Sequence, residues 1–230
     1  MAPTLLGCAA MTHVFKPAAV LWDMDGTLVD TEPYWIQAEF DLVAEFGGTW
    51  SDEDAHTLVG SALLTAAAYI RERGGVDLEP EEIVERLLAR VIAGVQRHTP
   101  WQPGAKSLLA ALAADGVPCA LVTMSYASLA GAVVDQLPPG TFAAVVTGDQ
   151  VTHGKPHPEP YLLAAQQLCV DPANCIAIED SPTGVASAEA AGCITIAVPH
   201  VAQVERAPGR IMIDTLDGLT AEGLAALSGR

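Results

Sequence analysis

Two aspartates, Asp23 and Asp25, directly follow a short apolar segment over residues 18–22. Such a segment is typical of a buried strand, which has no solvent for charged groups, so we expect both carboxylates at its exposed end. Residues i and i+2 of an extended chain point to the same side, so the two carboxylates could face one site. Two like charges at such a short distance are unfavourable unless a cation or a proton compensates them or a phosphoryl group reacts with them.

The residues that follow, Gly26 and Thr27, allow a second interpretation, because Asp-Gly is also a common turn at the end of a strand. Average residue frequencies, however, make the full pattern Asp-x-Asp-Gly-Thr after an apolar strand a chance match in only roughly one of several hundred chains of this length. The pattern therefore favours a site that does chemistry over a plain turn.

Further apolar segments of strand length occur along the chain, and from residue 100 onward they alternate with helical patterns. The predicted strands cover residues 18–22, 118–123, 142–147, 175–178 and 194–198, with 211–213 as a candidate for a last short one. The helices between them are predicted over residues 105–114, 129–137, 159–169 and 185–191. Repeated β-α units with apolar strands predict an α/β fold with a doubly wound parallel sheet.

Polar residues follow three of these later strands: Thr123 after the second, Lys155 after the third, and Glu179 with Asp180 after the fourth. Because the carboxyl ends of parallel strands meet at one edge, we expect these side chains to lie near Asp23. Phosphoryl transfer needs this set: oxygen ligands for Mg²⁺, a fixed positive charge, a hydroxyl donor, and carboxylates for attack and proton transfer. Each residue alone has an ordinary explanation as a helix cap, a turn hydroxyl or a solvated lysine. Their shared position at strand ends favours the chemical interpretation.

Residues 31–99 show helical periodicity and need no strand. Helices are predicted to begin at Glu32-Pro33, near residue 51, at Leu63 and at Pro80. In the last of these, four apolar residues align on one face: Ile83, Leu87, Val91 and Val95. We therefore expect a core domain made of residues 1–30 and 100–230, with an all-helical cap domain, residues 31–99, inserted after the first strand.

Composition limits the classes of partner. The chain has 230 residues, a formal charge of −17 and only 17% charged residues, so it is globular and strongly acidic. Its three lysines are Lys16, Lys106 and Lys155. Such a surface repels polyphosphates, which argues against nucleic acid and anionic membranes as partners. A monomer or a weak dimer is expected.

The cysteines number five and form no Cys-x-x-Cys pair, so they are interpreted as buried thiols in a reducing cytoplasm. They are Cys8, Cys119, Cys169, Cys175 and Cys193. His153 and His157 have no ligand partners at a metal-binding spacing, and we expect them to be structural or peripheral. Residues 1–10 lack the basic and long apolar parts of a signal peptide and are expected to be a loose tail, with Met11 as an alternative start.

Together the motifs Asp23-Met24-Asp25-Gly26-Thr27, Thr123, Lys155-Pro156 and Glu179-Asp180-Ser181 resemble those of the haloacid dehalogenase superfamily. Over residues 15–220 the chain is similar to its phosphatase and β-phosphoglucomutase-like group, which has a helical cap. The resemblance implies a core of parallel strands and a Mg²⁺-dependent phosphatase. It implies that Asp23 is the nucleophile that forms an aspartyl-phosphate.

The same resemblance assigns the other roles. Asp25 would be the general acid and base, a residue that dehalogenases and ion-pump ATPases of the superfamily lack. Thr123 and Lys155 would hold the phosphoryl oxygens. The metal ligands would be the carboxylates of Asp23 and Asp180 and the main-chain carbonyl of Asp25, with Glu179 as a further or indirect ligand.

Three departures from the β-phosphoglucomutase pattern favour a phosphatase over a mutase. Trp35 stands where the mutase has a His, Leu63 where it has the Arg of Gly-x-x-Arg, and Tyr126 near the position of a Lys. Each departure removes a basic or proton-shuttling group that a bisphosphate intermediate requires. Because Arg71 and Arg73 could still reach the site, the mutase stays as the alternative, and a non-catalytic binding relative stays as a more remote one.

Substrate choice is expected to lie in the cap, whose helices would close over the leaving group. Five residues are candidates for lining that pocket: Thr31, Trp35, Leu63, Ser125 and Tyr126. Their mixture of aromatic and apolar surface is suited to a sugar, a polyol or a similar small alcohol. The predicted partner is therefore a small phosphate ester.

Overall fold

The computed structural model describes residues 15–59 and 61–229. In this part of the chain six parallel strands form one sheet in the order β3-β2-β1-β4-β5-β6. The strands are β1 Ala19–Trp22, β2 Cys119–Val122, β3 Ala144–Val146, β4 Cys175–Glu179, β5 Ile194–Ala197 and β6 Ile211–Met212. The predicted doubly wound parallel sheet is confirmed, and each strand lies within two residues of its predicted bounds.

Strand β1 lies in the middle of the sheet between β2 and β4, and all residues of these three strands are buried. Their apolar sequences suit strands that are covered on both faces. Trp22 is aligned with Leu121 of β2 and with Ile178 of β4. The three strands therefore end at nearly the same level, and the polar residues that follow them share one edge of the sheet.

Nine helices surround or extend this sheet within the described ranges. They are α1 Glu32–Glu45, α2 Asp52–Leu58, α3 Leu63–Gly74, α4 Pro80–Arg97, α5 Ala105–Ala114, α6 Ala127–Val134, α7 Glu159–Gln167, α8 Pro182–Ala190 and α9 Ala221–Leu227. Helix α9 is the one that the sequence pattern did not predict. None of the helices in the described part of the chain is both long and apolar enough to cross a membrane.

Helices α1–α4 fall within residues 31–99, referred to below as the helical insertion. Proline in the first turn begins α1 and α4, and a capping box between Ser51 and Asp54 begins α2. The apolar stripe predicted for α4 is buried, and this helix packs on α1, α3 and α6. The division into core and cap domains remains a prediction. The described residues of α1–α4 and of the segments that link them include no strand.

The two chain segments that enter and leave the helical insertion lie side by side. The amide of Asp30 donates to the carbonyl of Pro100 at 2.8 Å, and the amide of Gln102 donates to the carbonyl of Leu28 at 3.0 Å. Val29 and Trp101 pair as an antiparallel bridge. The insertion is therefore joined to the sheet through a two-stranded connection.

The cysteines differ from expectation at one position. Cys119, Cys175 and Cys193 are buried free thiols, as predicted, but Cys169 is free and exposed. It follows the C-terminus of α7 with a φ of 55° at the surface, so the expectation of a buried thiol was wrong there. Cys8 and the proposed tail over residues 1–10 lie outside the described residues.

Candidate active site

Asp23 is the first residue after β1, and its buried carboxylate lies beside Lys155. Nζ of Lys155 donates to Oδ1 of Asp23 at 2.6 Å and to the carbonyl oxygen of Val122 at 2.9 Å. Oδ2 of Asp23 is buried as well, but no described residue donates a hydrogen bond to it. One oxygen of Asp23 is thus neutralised by a fixed cation, and the other is available for a ligand or a reaction.

Glu179, the last residue of β4, binds the same lysine from a fully buried position. Its Oε1 accepts hydrogen bonds from Nζ of Lys155 at 2.7 Å and from Oη of Tyr161 at 2.6 Å. A Cβ atom on Gly184 would lie 2.0 Å from this carboxylate, so α8 approaches it only because that residue is glycine. Burial disfavours a charged lysine, but the carboxylates of Asp23 and Glu179 outweigh it and raise the pKa of Lys155 above its usual value. Lys155 is therefore a permanent cation.

Asp180 completes a cluster of three buried carboxylates. Oxygens of Asp23, Glu179 and Asp180 lie within 4.8 Å of one another. Burial, assisted by repulsion from Glu179, raises the pKa of Asp23 to about 7, and burial with repulsion from Asp23 raises the pKa of Asp180 to about 9. Gly26, with a φ of +91°, lets the turn after β1 lie against Asp180, because a Cβ there would be 2.1 Å from its Oδ2. The cluster thus concentrates more negative charge than Lys155 can neutralise.

Asp25 is held by three hydroxyl groups from two parts of the chain. Its Oδ1 accepts from Oγ1 of Thr31 at 2.5 Å, and its Oδ2 accepts from Oγ of Ser125 at 2.8 Å and from Oγ1 of Thr123 at 3.1 Å. The donors come from the start of the helical insertion and from the segment after β2. They orient the carboxyl group while leaving it part-buried at the cavity, which suits a group that exchanges protons.

A cavity of about 330 Å³ connects these residues with the helical insertion. Its sheet end is lined by Asp23, Asp25, Thr123, Ser125, Lys155 and Asp180, and its far end by Trp35, Glu39, Leu58, Leu63, Ala66 and Leu87. His200 and Asp30 also line it, with 3.3 Å between Nε2 of the first and Oδ1 of the second. The cavity therefore has a reacting end at the edge of the sheet and a second part, under the helices, that both polar and apolar side chains line.

Two further carboxyl groups of α1 face this cavity and were missed by the sequence interpretation. Glu32 is half-buried, and burial together with repulsion from Asp25 and Asp30 raises its pKa to about 7. Glu39 is buried, and burial raises its pKa to about 8 despite a hydrogen bond from Nε1 of Trp50 at 3.2 Å. Their spacing of seven residues places them on one helix face, a signal that is visible only once the cavity beside it is known.

Four of the five predicted pocket residues line the cavity: Thr31, Trp35, Leu63 and Ser125. Tyr126 does not line it; this residue is the N-cap of α6 and packs against the main hydrophobic cluster. The hydroxyl of Thr123, expected at a phosphoryl oxygen, donates to Asp25 here. The role of Thr123 at a phosphoryl oxygen remains a prediction. Oε1 of Glu179, a predicted further or indirect metal ligand, accepts hydrogen bonds from Lys155 and Tyr161.

Arg71 and Arg73 point to partners outside the cavity. Arg71 forms a two-fold hydrogen-bonded ion pair with Glu79 at 3.1 Å, and Nε of Arg73 lies 3.1 Å from Oδ1 of Asp54. Both arginine side chains are more than two-fifths exposed. Lys155 is therefore the one lysine or arginine among the described residues that line the cavity.

His153 and His157 have a ligand-type neighbour, contrary to expectation. Their rings lie 4.7 Å apart, and with Glu159 they bring ligand atoms within 4.8 Å of one another. Sequence spacing did not indicate this because a turn, closed by the hydrogen bond from the amide of His157 to the carbonyl of Gly154 at 3.0 Å, brings the two histidines together. The group lies at the surface, where Glu159 accepts from the amides of Thr152 and His153 at 2.7 and 3.0 Å.

A family model described as haloacid dehalogenase-like hydrolase matches residues 17–192. The chain belongs to this family. The match includes every residue of the carboxylate cluster, Asp25 and Lys155, so the resemblance inferred from the four motifs is confirmed. Asp23, Asp25 and Lys155 occupy the motif positions on which that resemblance depended.

Curated relatives of this haloacid dehalogenase-like hydrolase include phosphatases. The chain is 31% identical over 213 residues to hexitol phosphatase B of Escherichia coli K12, and the aligned region covers 90% of this chain and 96% of that protein. It is 32% identical over 182 residues to the fructose-1-phosphate phosphatase YqaB of the same strain, and the aligned region covers 76% of this chain and 93% of that protein. The family and these relatives identify the chain as a phosphomonoester hydrolase.

Among solved structures, CbbY from Rhodobacter sphaeroides in complex with xylulose 1,5-bisphosphate matches with a TM-score of 0.79 at 26% identity, covering 88% of this chain and 96% of that one. The β-phosphoglucomutase of Clostridium difficile matches with a TM-score of 0.77 at 23% identity, covering 93% and 97%. The second likeness is one of fold alone.

Proposed function

We propose that this hydrolase is a Mg²⁺-dependent phosphatase that removes phosphate from a sugar or polyol monophosphate through an aspartyl-phosphate on Asp23. One observation carries the proposal: buried Asp23, which lines the cavity, has one oxygen bound by Lys155 and the other without a hydrogen-bond partner among the described residues. A carboxylate so placed is neutralised enough to accept a phosphoryl group and free enough to attack it.

The donor set fits Mg²⁺, which prefers oxygen ligands and binds through one or two carboxylates. Asp23, with its partnerless buried Oδ2, and Asp180, with its raised pKa, would hold the ion together with the main-chain carbonyl of Asp25. Oε1 of Glu179 binds Lys155 and Tyr161 and its Oε2 accepts from Ser181 at 3.3 Å, which supports a role in holding Lys155. The bound ion would offset negative charge on the phosphoryl oxygens.

In the first half-reaction a carboxylate oxygen of Asp23 attacks phosphorus, and the bond from phosphorus to the ester oxygen breaks. Asp25 in its protonated form gives its proton to the departing alkoxide, which leaves as an alcohol. Lys155 keeps its charge throughout because its pKa is raised by Asp23 and Glu179. It would therefore also attract the phosphoryl oxygens.

In the second half-reaction Asp25, now ionised, takes a proton from a water molecule that attacks the phosphorus of the aspartyl-phosphate. The bond from phosphorus to Asp23 breaks, and inorganic phosphate leaves. The hydroxyls of Thr31, Thr123 and Ser125 hold the carboxyl group of Asp25 in one place through both steps. Asp25 thus ends the cycle protonated, as it began.

The leaving-group end of the cavity supports a neutral, hydroxyl-bearing group. It combines the aromatic face of Trp35 and apolar side chains with the carboxyl groups of Glu32 and Glu39. Carboxyl groups bind hydroxyls well and offer no positive charge to a second phosphate or a carboxylate. The curated relatives named above, a hexitol phosphatase and a fructose-1-phosphate phosphatase, point in the same direction.

The mutase alternative receives no support from the positively charged residues. A bisphosphate needs a cation at the distal phosphate, yet Arg71 and Arg73 pair with Glu79 and Asp54 away from the cavity. With Lys155 already bound by Asp23 and Glu179, the described lining offers no other lysine or arginine. Glucose 1-phosphate is therefore expected to be hydrolysed or ignored.

The decisive experiment is a panel of sugar, polyol and nucleoside monophosphates assayed for release of inorganic phosphate, with β-glucose 1-phosphate also assayed for glucose 6-phosphate. We expect hydrolysis that needs Mg²⁺ and is highest for sugar or polyol esters. Formation of glucose 6-phosphate as the main product would instead support the mutase.

A cytoplasmic location is also proposed, on the ground of the free thiols among the described residues.

A further inference from the structure

Glu39 is a carboxyl group that the proposed chemistry does not use, although it lies in the cavity that the chemistry shares. It is 5% exposed and lines the far end with Leu58, Ala66 and Leu87. Burying a carboxyl group among apolar side chains is costly unless hydrogen bonds compensate. Its presence there is therefore unexplained by stability.

The hydrogen bonds of Glu39 are incomplete. Oε2 accepts from Nε1 of Trp50 at 3.2 Å, and no described residue donates to Oε1. The indole of Trp50 meets the ring of Tyr69 edge to face, with 5.8 Å between ring centroids, which restrains its orientation. Trp50 thus orients the carboxyl group from behind while one oxygen remains open to the cavity.

Glu39 lies about two helical turns along α1 from the residue that binds Asp25. Thr31, which binds Asp25, immediately precedes α1, and Glu39 lies eight residues later, about 12 Å along the helix axis at 1.5 Å per residue. With carbon–carbon bonds of about 1.5 Å, an extended six-carbon chain and its phosphate span about 9 Å, and a three-carbon ester spans about 5 Å. With the phosphate at Asp23, a six-carbon chain extends about 4 Å farther into the cavity than a three-carbon chain does, and Glu39 lines the far end of that cavity.

We propose that Glu39 is a hydroxyl-binding residue for the end of the leaving group farthest from the phosphate, with Trp50 as its positioning residue, so that the enzyme selects polyhydroxylated chains of about six carbons. This inference rests on the proposed phosphatase activity. A hydroxyl both donates and accepts, so it pairs with the open oxygen of Glu39 in either protonation state. The raised pKa of Glu39, about 8, agrees with a neutral partner, because the carboxyl group is then mostly uncharged at neutral pH.

The test compares substrates that differ in length and in one hydroxyl. A hexitol 6-phosphate, its 1-deoxy analogue and glycerol 3-phosphate are assayed with wild type, Glu39→Leu, Glu39→Gln and Trp50→Phe. Asp41→Asn is the matched control, since Asp41 lies on the exposed side of the same helix and pairs with Gln37. Thermal unfolding checks that each variant is folded.

Wild type is expected to prefer the hexitol ester over its 1-deoxy analogue by about 10-fold in kcat/KM, because loss of one hydrogen bond at a buried site has that size. Glu39→Leu should erase this preference and lower the hexitol-to-glycerol ratio of kcat/KM by about 10-fold, mainly through KM. Glu39→Gln should keep part of the preference, Trp50→Phe should lose part of it, and Asp41→Asn should keep all of it.

The proposal is overturned if Glu39→Leu lowers kcat/KM equally for all three esters, or if it leaves the preference for the 1-hydroxyl unchanged. A wild type that hydrolyses an ester of a cationic amino alcohol better than the hexitol ester would also overturn it and assign Glu39 to an ammonium group. Failure of wild type to hydrolyse any ester with Mg²⁺ would overturn the proposed function as well, which distinguishes the two outcomes.

Discussion

Lys155 and Asp23 are separated by 132 residues, yet Nζ of the lysine lies 2.6 Å from Oδ1 of the aspartate. Both side chains are almost fully buried, at 5% and 9% exposure. A buried ion pair contributes little net stability once desolvation is counted, but removal of one partner leaves the other charge uncompensated. The contact is thus better explained by chemistry than by stability, and it makes the lysine the first target for mutation.

Lys155→Met should lower kcat by at least about 100-fold, because Asp23 would lose the cation that binds it and the phosphoryl oxygens would lose an electrostatic partner. Unfolding should also occur at a lower temperature, since the buried Glu179 would lose the ammonium group that donates to it. The control is Lys106→Met, whose ammonium lies at the surface over the ring of Trp101. Steady-state kinetics and thermal unfolding of both variants test this, and comparable kcat in the two would contradict it.

The two aspartates of the first motif should be separable by the choice of leaving group. Asp23→Asn should abolish both turnover and transfer of phosphate to the protein, because the attacking oxygen is lost. Asp25→Asn should lose activity toward alkyl esters by about 100-fold or more but much less toward p-nitrophenyl phosphate, whose leaving group needs no proton. Rapid-quench measurement of protein-bound phosphate with both substrates tests the assignment, and persistent hydrolysis by Asp23→Asn would refute it.

Mg²⁺ should stabilise the protein, and more so at high pH. The ion competes with protons for Asp23 and Asp180, whose pKa values lie near 7 and 9 instead of 3.8. Saturation at 100 times Kd adds about 2.7 kcal/mol to the free energy of unfolding. Thermal unfolding with EDTA or with Mg²⁺ should show a larger increase in Tm at pH 8 than at pH 5.5, and Asp180→Asn should lose most of it. An equal increase at both pH values would place the ion elsewhere.

Glu39 should make the wild type less stable as the pH rises. Its pKa is about 8 when folded and 4.5 for an ordinary glutamate, so between these values the folded state holds a proton that the unfolded state has lost. The free energy of unfolding then falls by up to about 1.4 kcal/mol per pH unit from this group. Urea unfolding from pH 4 to pH 8 should show this slope in wild type and Asp41→Asn and a shallower one in Glu39→Gln. Parallel curves for all three proteins would contradict it.

The double variant Arg71→Ala, Arg73→Ala should keep kcat and KM for a monophosphate within about two-fold. Neither arginine lines the cavity. Arg71 pairs with the exposed Glu79, and Arg73 pairs with the buried Asp54, which also accepts hydrogen bonds from Ser51 and Tyr69. A large rise in KM would indicate that one of them reaches the substrate after a rearrangement, as a mutase would require.

The strand-end residues could be predicted from sequence because the reasoning was local. Asp23, Thr123 and Glu179 each follow an apolar run, and parallel strands bring such positions to one edge whatever the connections between them. The same rule predicted the sheet and the place of Lys155. The family motifs then assigned the roles.

Residues whose partners come from distant helices could not be predicted in the same way. Tyr161 carries the pattern of an ordinary apolar helix position, and only the packing of α7 brings its hydroxyl 2.6 Å from Glu179. Glu39 has the sequence context of a surface carboxylate, and its burial depends on α2, α3 and α4 covering α1. Arg71 and Arg73 have the charge that a bisphosphate site needs, but their direction is set by Glu79 and Asp54. Tyr126 is the N-cap of α6, next to the cavity residue Ser125, and the sequence pattern could not distinguish a cap position from a pocket position.

The connection that joins the helical insertion to the sheet has a consequence for how this enzyme could change over evolutionary time. Leu28 and Gln102, and Asp30 and Pro100, are hydrogen-bonded across the two segments, so the ends of residues 31–99 are neighbours in space. Because these ends are close, residues 32–99 could be replaced by a segment of a different length whose own ends are equally close. The edge of the sheet that carries the catalytic residues would not have to move. Exchange of residues 32–99 would thus leave Asp23, Asp25 and Lys155 in place, and under the proposed function it would alter the choice of substrate.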